Sequence, residues 1–431
     1  MRTRTRPSVL AFQVLIVGLA LHNVVMALLW RAGVRGTELT IVSAWKDVLL
    51  LVALVLVARG SPWPVRATDW LALAFGAFVV LYGVLPQSWL GGGATHKGVL
   101  YAARHDLLPV GAYFLGRGLH LSERERARLC HTVLATAAFV AAFGLIDVYL
   151  VPLSFWRHAA GWFSDQLGLV YSAGTSGLPE NFVYNAGNGV VFRRLTSTFL
   201  SPLATSYLLV VALFFIPMRR KWGLPLGVLI FAALLWTHTR SALLALVVVL
   251  VLRAVVRRRV RPLVWVVVVA VIGLAFVKGY DHFGPRTHFT ASELKVQERI
   301  AREHPHASND ATSANESSTS EHLASLRDGA RTVLHHPWGF GLGNSGVTAA
   351  RTHVTVKAGE STYTELGVET GVAGMLVFIA WSLALLRATL RRRVWVGAAF
   401  AAVLFLGLQT DVIGVPWIAV VVWAFAGDSV A

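Results

Sequence analysis

Cysteine and charge are what this chain has least of. One thiol, Cys130, excludes an intrachain disulfide and a thiolate metal cluster, and it is expected to be an ordinary buried side chain. Charged residues make up only 14% of the chain against 55% hydrophobic ones. With a mean hydropathy of +0.61, the 431 residues lie well outside the range of soluble globular proteins. Acidic residues are scarcer still, 22 against 39 Lys and Arg, for a net charge of +17. No internal repeat is visible, and the N-terminal apolar stretch lacks a small-residue cleavage site, so it is expected to be retained rather than removed as a signal peptide.

Long apolar stretches take the place of charge. A helical span needs roughly 20 mostly apolar residues, and twelve stretches meet that measure: about 9–30, 39–58, 68–86, 98–118, 129–152, 195–217, 223–238, 241–256, 262–280, 366–388, 394–410 and 412–426. The expected fold is an all-α integral membrane protein of about 12 transmembrane helices, with a large extracytoplasmic loop containing short helices. Lys and Arg near span ends are retained in the cytoplasm. With the N-terminus inside, every second junction is basic: Arg2/Arg4/Arg6, Arg59/Arg66, Arg117 to Arg128, "MRRKW" (218–222), "RAVVRRRVR" (253–261) and "LRATLRRR" (386–393). The positive charge is therefore a topology signal for a multi-pass protein of the cell membrane with both termini cytoplasmic, in contact with membrane lipids and not with nucleic acid.

This register divides the chain into 1–194 (spans one to five and a first outer loop), 195–280 (spans six to nine), 281–365 (the large outer loop) and 366–431 (the last three spans). The large loop holds an amphipathic stretch at 291–304, a Ser/Asn/Thr-rich run at 305–322 and a helical pattern at 320–336. That last helix displays Arg327, Arg331 and His335 along one stripe, which on its own suits a solvated face.

Ionisable residues inside spans are expensive and suggest function. Lys46 and Asp47, and likewise Arg104, His105 and Asp106, fall roughly 10 Å below the outer surface at 1.5 Å per residue. Asp147, Arg193 and Arg194 lie at outer span ends, and "THTRS" (237–241) forms an outer turn. Lys46 with Asp47 and Arg104 with Asp106 are candidate structural pairs. A secondary transporter would hold its site near the midplane between repeats, so the expected site opens outward. An arginine-rich outer cavity suits an anionic headgroup whose tail stays in the bilayer, because arginine forks bind phosphate oxygens and stay charged when partly desolvated. Outside the cell no nucleotide-sugar is present, so an enzyme there needs a donor already activated on lipid, such as a lipid-diphosphate-linked glycan. The outer loops carry no DxD pair or His/Cys ligand spacing, so neither a metal nor another cofactor is expected.

Four segments carry a family resemblance: "FRRLTSTFLSPLATSYLLV" (192–210), "LLWTHTRSALLALVVVL" (234–250), "RTVLHHPWGFGLGNSG" (331–346) and "ESTYTELGVETGVAGMLVF" (360–378). In their order and spacing they resemble the bacterial O-antigen ligase/polymerase family, inverting, metal-independent membrane glycosyltransferases acting on undecaprenyl-diphosphate-linked glycans. The resemblance implies that Arg194, with Arg193 as the alternative, and Arg240 bind the diphosphate, with Arg331 or Arg327 closing over it and Tyr363 also in the substrate site. It implies that the glycines of "HPWGFGLGNSG" let backbone approach the substrate and turn sharply; a merely structural turn is the other reading. Ligases of the family carry a His-Asn pair where this chain has Glu360 and Ser361, a departure that resembles the polymerase-like branch. Glu360 is then the expected general base, with His322 second. The expected function is polymerisation of lipid-linked repeat units into a cell-surface polysaccharide, with a glycan acceptor and other polysaccharide-assembly proteins as partners. Ligase-like transfer of a finished glycan to a lipid, protein or wall acceptor is the alternative, and a transporter or flippase for an anionic lipid or solute is the third reading.

Overall fold

The computed structural model describes residues 6–60, 64–159, 161–169, 178–179, 181–187, 190–217, 220–303, 317–357, 359 and 361–431. Helix dominates, as it must where lipid offers the backbone no hydrogen-bond partner. Among the described residues six helices are long and apolar enough to cross a membrane: Pro7–Arg31, Gly36–Ala58, Ala67–Val84, Glu123–Leu150, Arg261–Phe283 and Thr362–Arg392. Four more of the expected spans, Pro202–Phe215, Gly223–Trp236, Val394–Leu406 and Pro416–Ser429, are apolar but have only 13 or 14 residues. At about 20 Å they fall short of the roughly 30 Å hydrocarbon core. The last two, His96–Leu119 and Arg240–Arg257, carry more charge than a span of that kind. Twelve expected stretches thus give twelve helical regions, of which six have spanning length and apolarity.

The chain forms two compact units, each assembled from separated segments: Met1–Leu19, Ala44–Leu134 and Ala324–Ala431 in the first, Ala20–Ser43 and Ala135–Leu323 in the second. In the first, the helix Pro416–Ser429 is buried almost all round, the pattern of a central helix. It lies directly on His96–Leu119: a methyl at Gly116 would strike the Ala424 carbonyl, and one at Gly427 the Tyr113 carbonyl. Buried charges brace this core in pairs. Arg117 binds both oxygens of Asp69 at 2.9 and 3.0 Å, and Arg126 does the same to Asp428 at 2.7 and 3.0 Å.

The second unit contains Pro202–Phe215, Gly223–Trp236, Arg240–Arg257 and Arg261–Phe283, and a three-stranded antiparallel sheet that the all-α expectation did not include. Its strands are β1 (Val183–Gly187), β2 (Val190–Arg193) and β3 (Arg286–Thr287), in the order β1-β2-β3. The signal was present in the sequence: Asn188-Gly189, the strongest short hairpin signature, separates two β-prone runs. The amphipathic 291–304 stretch is the helix Ala291–Glu303, tied to Leu153–Ala159 by Arg157 and Glu293 at 2.8 Å. The expected 320–336 helix is Ser317–His335, and most of the Ser/Asn/Thr-rich run, through residue 316, lies outside the described residues.

Candidate anion-binding site

Strand β2 and the chain just after it set two neighbouring arginines to different tasks, because successive side chains of an extended chain point to opposite sides. Arg193 turns into the unit. Its Nη2 meets Asp147 Oδ2 at 2.9 Å, its Nη1 donates to the Val151 carbonyl, and Trp156 Nε1 donates to the other oxygen of Asp147 at 2.7 Å. With 4% of its surface exposed, Arg193 is a neutralised structural cation. That corrects its place as an alternative diphosphate ligand.

Arg194 turns the other way, onto the "THTR" turn between Gly223–Trp236 and Arg240–Arg257. Its Nε donates to the Thr237 carbonyl at 2.9 Å, and its Nη2 donates to the His238 carbonyl at 3.3 Å and Thr239 Oγ1 at 3.1 Å. Nη1 takes no part in these bonds. Backbone bonds hold the segment rigidly: Arg194 N–H to Phe182 O at 3.1 Å and Leu195 N–H to Trp236 O at 2.9 Å. The Tyr280 hydroxyl donates to the Arg193 carbonyl at 2.6 Å. Among the described residues no carboxylate pairs with Arg194. Its pKa is lowered to about 10 by burial, an effect that the Tyr280 hydroxyl opposes and the charge of Arg240 reinforces. Arg240 is the first residue of its helix, where the N-terminal partial charge also favours an anion. Two guanidiniums held together, one of them without a carboxylate, form a site that an anion stabilises.

His238 lies between them in sequence, at φ +50° and buried, its ring 4.5 Å from those of Tyr184 and Tyr280. The sequence reading quoted it inside the turn without giving it a part.

One of the expected pairs in the first unit gives way to another. Arg104 Nε binds Asp47 at 2.7 Å instead of Asp106. His105 bridges Asp106 and Asp411, at 2.7 Å from each ring nitrogen. Arg104 and Asp106 are two apart on the helix and so point to different sides of it. Close by in the same unit are the buried Glu365 and Glu369.

The glycine-rich segment also belongs to the first unit and packs on the helix Thr362–Arg392. That helix is broken at Gly371, where φ is 71° and ψ 174°. Phe340 N–H donates to Val368 O at 2.6 Å and Val372 N–H to Pro337 O at 2.9 Å. Gly343 N–H and Ser345 Oγ both donate to Glu369 Oε1, at 3.0 and 2.9 Å. Gly339, Gly341, Gly343 and Gly346 all have positive φ, and a methyl at Gly339 would lie 2.6 Å from Gly371 N. These glycines allow the loop to close on its own helix, so in this structure the structural-turn reading accounts for them.

Of the remaining expected residues, four are described. Glu360 lies outside the described residues. His322 is exposed near the start of Ser317–His335. Arg327 and Arg331 are exposed on the same helix, with Arg331 3.7 Å from Asp328. The Tyr363 hydroxyl is occupied by the Leu404 carbonyl at 2.9 Å. Arg194 and Arg240 are the expected site residues that the second unit brings together; Arg327, Arg331 and Tyr363 belong to the first.

Six helices long and apolar enough to cross a membrane mark the chain as a membrane protein, and its second unit gathers two arginines at one turn. Residues 225–379, from the helix before that turn to past the break at Gly371, match the family model for O-Antigen ligase. The match supports the O-antigen ligase/polymerase family, glycosyltransferase-like membrane enzymes acting on lipid-linked glycan donors and acceptors. No curated protein matches the chain.

Proposed function

We propose that the chain polymerises oligosaccharide repeat units carried on undecaprenyl diphosphate, on the outer face of the membrane, by inverting transfer without a metal. The observation that carries this is the placement of Arg194 on the "THTR" turn beside Arg240, with carbonyl and hydroxyl partners in place of a carboxylate. A hydroxyl oxygen of the acceptor unit attacks the anomeric carbon of the donor chain. The bond from that carbon to the diphosphate oxygen breaks, and the hydroxyl proton passes to a base, for which Glu360 is the first candidate and His322 the second. Arg194 and Arg240 stabilise the charge that grows on the leaving diphosphate, the part a metal plays elsewhere.

Transfer of one finished glycan to a lipid, protein or wall acceptor is the second reading, favoured by the description of the family model as a ligase. The donor chemistry is the same and only the acceptor differs. Purified protein in nanodiscs, given a lipid-diphosphate-linked repeat unit from its host, separates the two. A ladder of products that is lost in Glu360→Gln supports polymerisation and the base. Unchanged donor that turns into a single product when candidate acceptors are supplied supports the ligase.

A further inference from the structure

His238, inside the arginine turn, has a side chain to which the proposed mechanism gives no part. Only 6% of its surface is exposed. One ring nitrogen bonds to the Val277 carbonyl, while Nε2 is buried with no hydrogen-bond partner among the described residues, so Nδ1 carries the proton and is the donor to Val277. The charged groups facing the ring are Arg194 and Arg240; its other neighbours are the Tyr184 and Tyr280 rings. Burial first, and then those two cations, lower its pKa to about 3, so the imidazole is neutral at pH 7 and Nε2 is a lone-pair acceptor.

A buried acceptor without a donor is destabilising, and here the charged neighbours, Arg194 and Arg240, are both cations. A phosphate oxygen cannot satisfy it, since two lone pairs repel. A hydroxyl can, and in a glycosyl diphosphate the nearest hydroxyls are those of the sugar bonded to the diphosphate. We propose that Nε2 of His238 accepts a hydrogen bond from a hydroxyl of that diphosphate-proximal sugar, which makes His238 a specificity-determining residue of the donor site. The inference rests on Arg194 and Arg240 holding the diphosphate.

The test measures binding by protein in nanodiscs of two probes, decaprenyl diphosphate and the same lipid carrying one glucose. Two variants accompany the wild type. His238→Asn tolerates the positive φ but is too short to place an acceptor at Nε2, and His238→Gln restores one. The backbone carbonyl that Arg194 uses is untouched in both, and thermal melts confirm that each folds. The expected result is a wild-type preference for the glucosylated lipid on the order of tenfold, erased in His238→Asn, partly restored in His238→Gln, with affinity for the bare diphosphate held in all three. A preference that survives in His238→Asn, or is absent from the wild type, overturns the proposal. Loss of affinity for both lipids in His238→Asn also overturns it, because the side chain then acts on the turn and not on the sugar. A wild type that binds neither lipid refutes the diphosphate reading itself, and this inference falls with it.

Discussion

The two units handle buried charge in opposite ways. In the first, every buried arginine has a carboxylate: Arg117 with Asp69 and Arg126 with Asp428, both bidentate. Acid is in excess there, with Asp106, Asp411, Glu365 and Glu369 gathered around the single His105. In the second, Arg193 is matched by Asp147, but the next residue, Arg194, is propped on carbonyls and a hydroxyl beside another arginine. Closed pairs build the fold. A cation held in place without a carboxylate is what the proposed diphosphate site requires.

The contrast predicts different kinds of damage. Removing Arg117 by Arg117→Ala strands Asp69 in the core, and about 3–5 kcal/mol of stability should go; a lower melting temperature and poor membrane expression would show it, while near wild-type melting would break the comparison. Arg240→Ala should leave melting close to wild type and cut the transfer rate on the order of 100-fold. An unchanged rate with purified enzyme would remove Arg240 from the mechanism. Gly371→Ala forces a side chain onto a left-handed position against Pro337 O and Trp338 and should cost roughly 1–3 kcal/mol, read as increased protease cleavage around 337–346. Smallest of all, Arg331→Ala breaks an exposed contact and should shift stability by less than about 1 kcal/mol. Any fall in its turnover then reports on substrate and not on folding.

Apolar runs, basic junctions and the arginine turn were legible in the sequence because each is local: hydrophobicity sums along a segment, and "THTR" is four consecutive residues. Partnerships were not legible. Asp47 meets Arg104 across 57 positions, and Asp411 reaches His105 across 306, whereas the expected partner of Arg104, Asp106, is only two residues away. Arg193 and Arg194 are the same residue type side by side, and only the alternation of an extended chain, invisible until the strand pairs with β1 and β3, tells the arginine paired with Asp147 from the one set on the turn. Twelve apolar stretches could be counted, yet the shortness of Pro202–Phe215 or Pro416–Ser429 depends on where caps and turns cut each helix, which hydropathy averages over.

The contact between Gly116 and Ala424, matched by Gly427 and Tyr113, has a consequence for the lengths of these helices as well as for their composition. Inserting or deleting one residue within His96–Leu119 turns everything beyond it by about 100°, which swings Gly116 off the seam and drives a larger side chain into a backbone. Natural variants of this protein should therefore accumulate substitutions along those two helices while keeping their spacing, with insertions and deletions confined to the stretches between them.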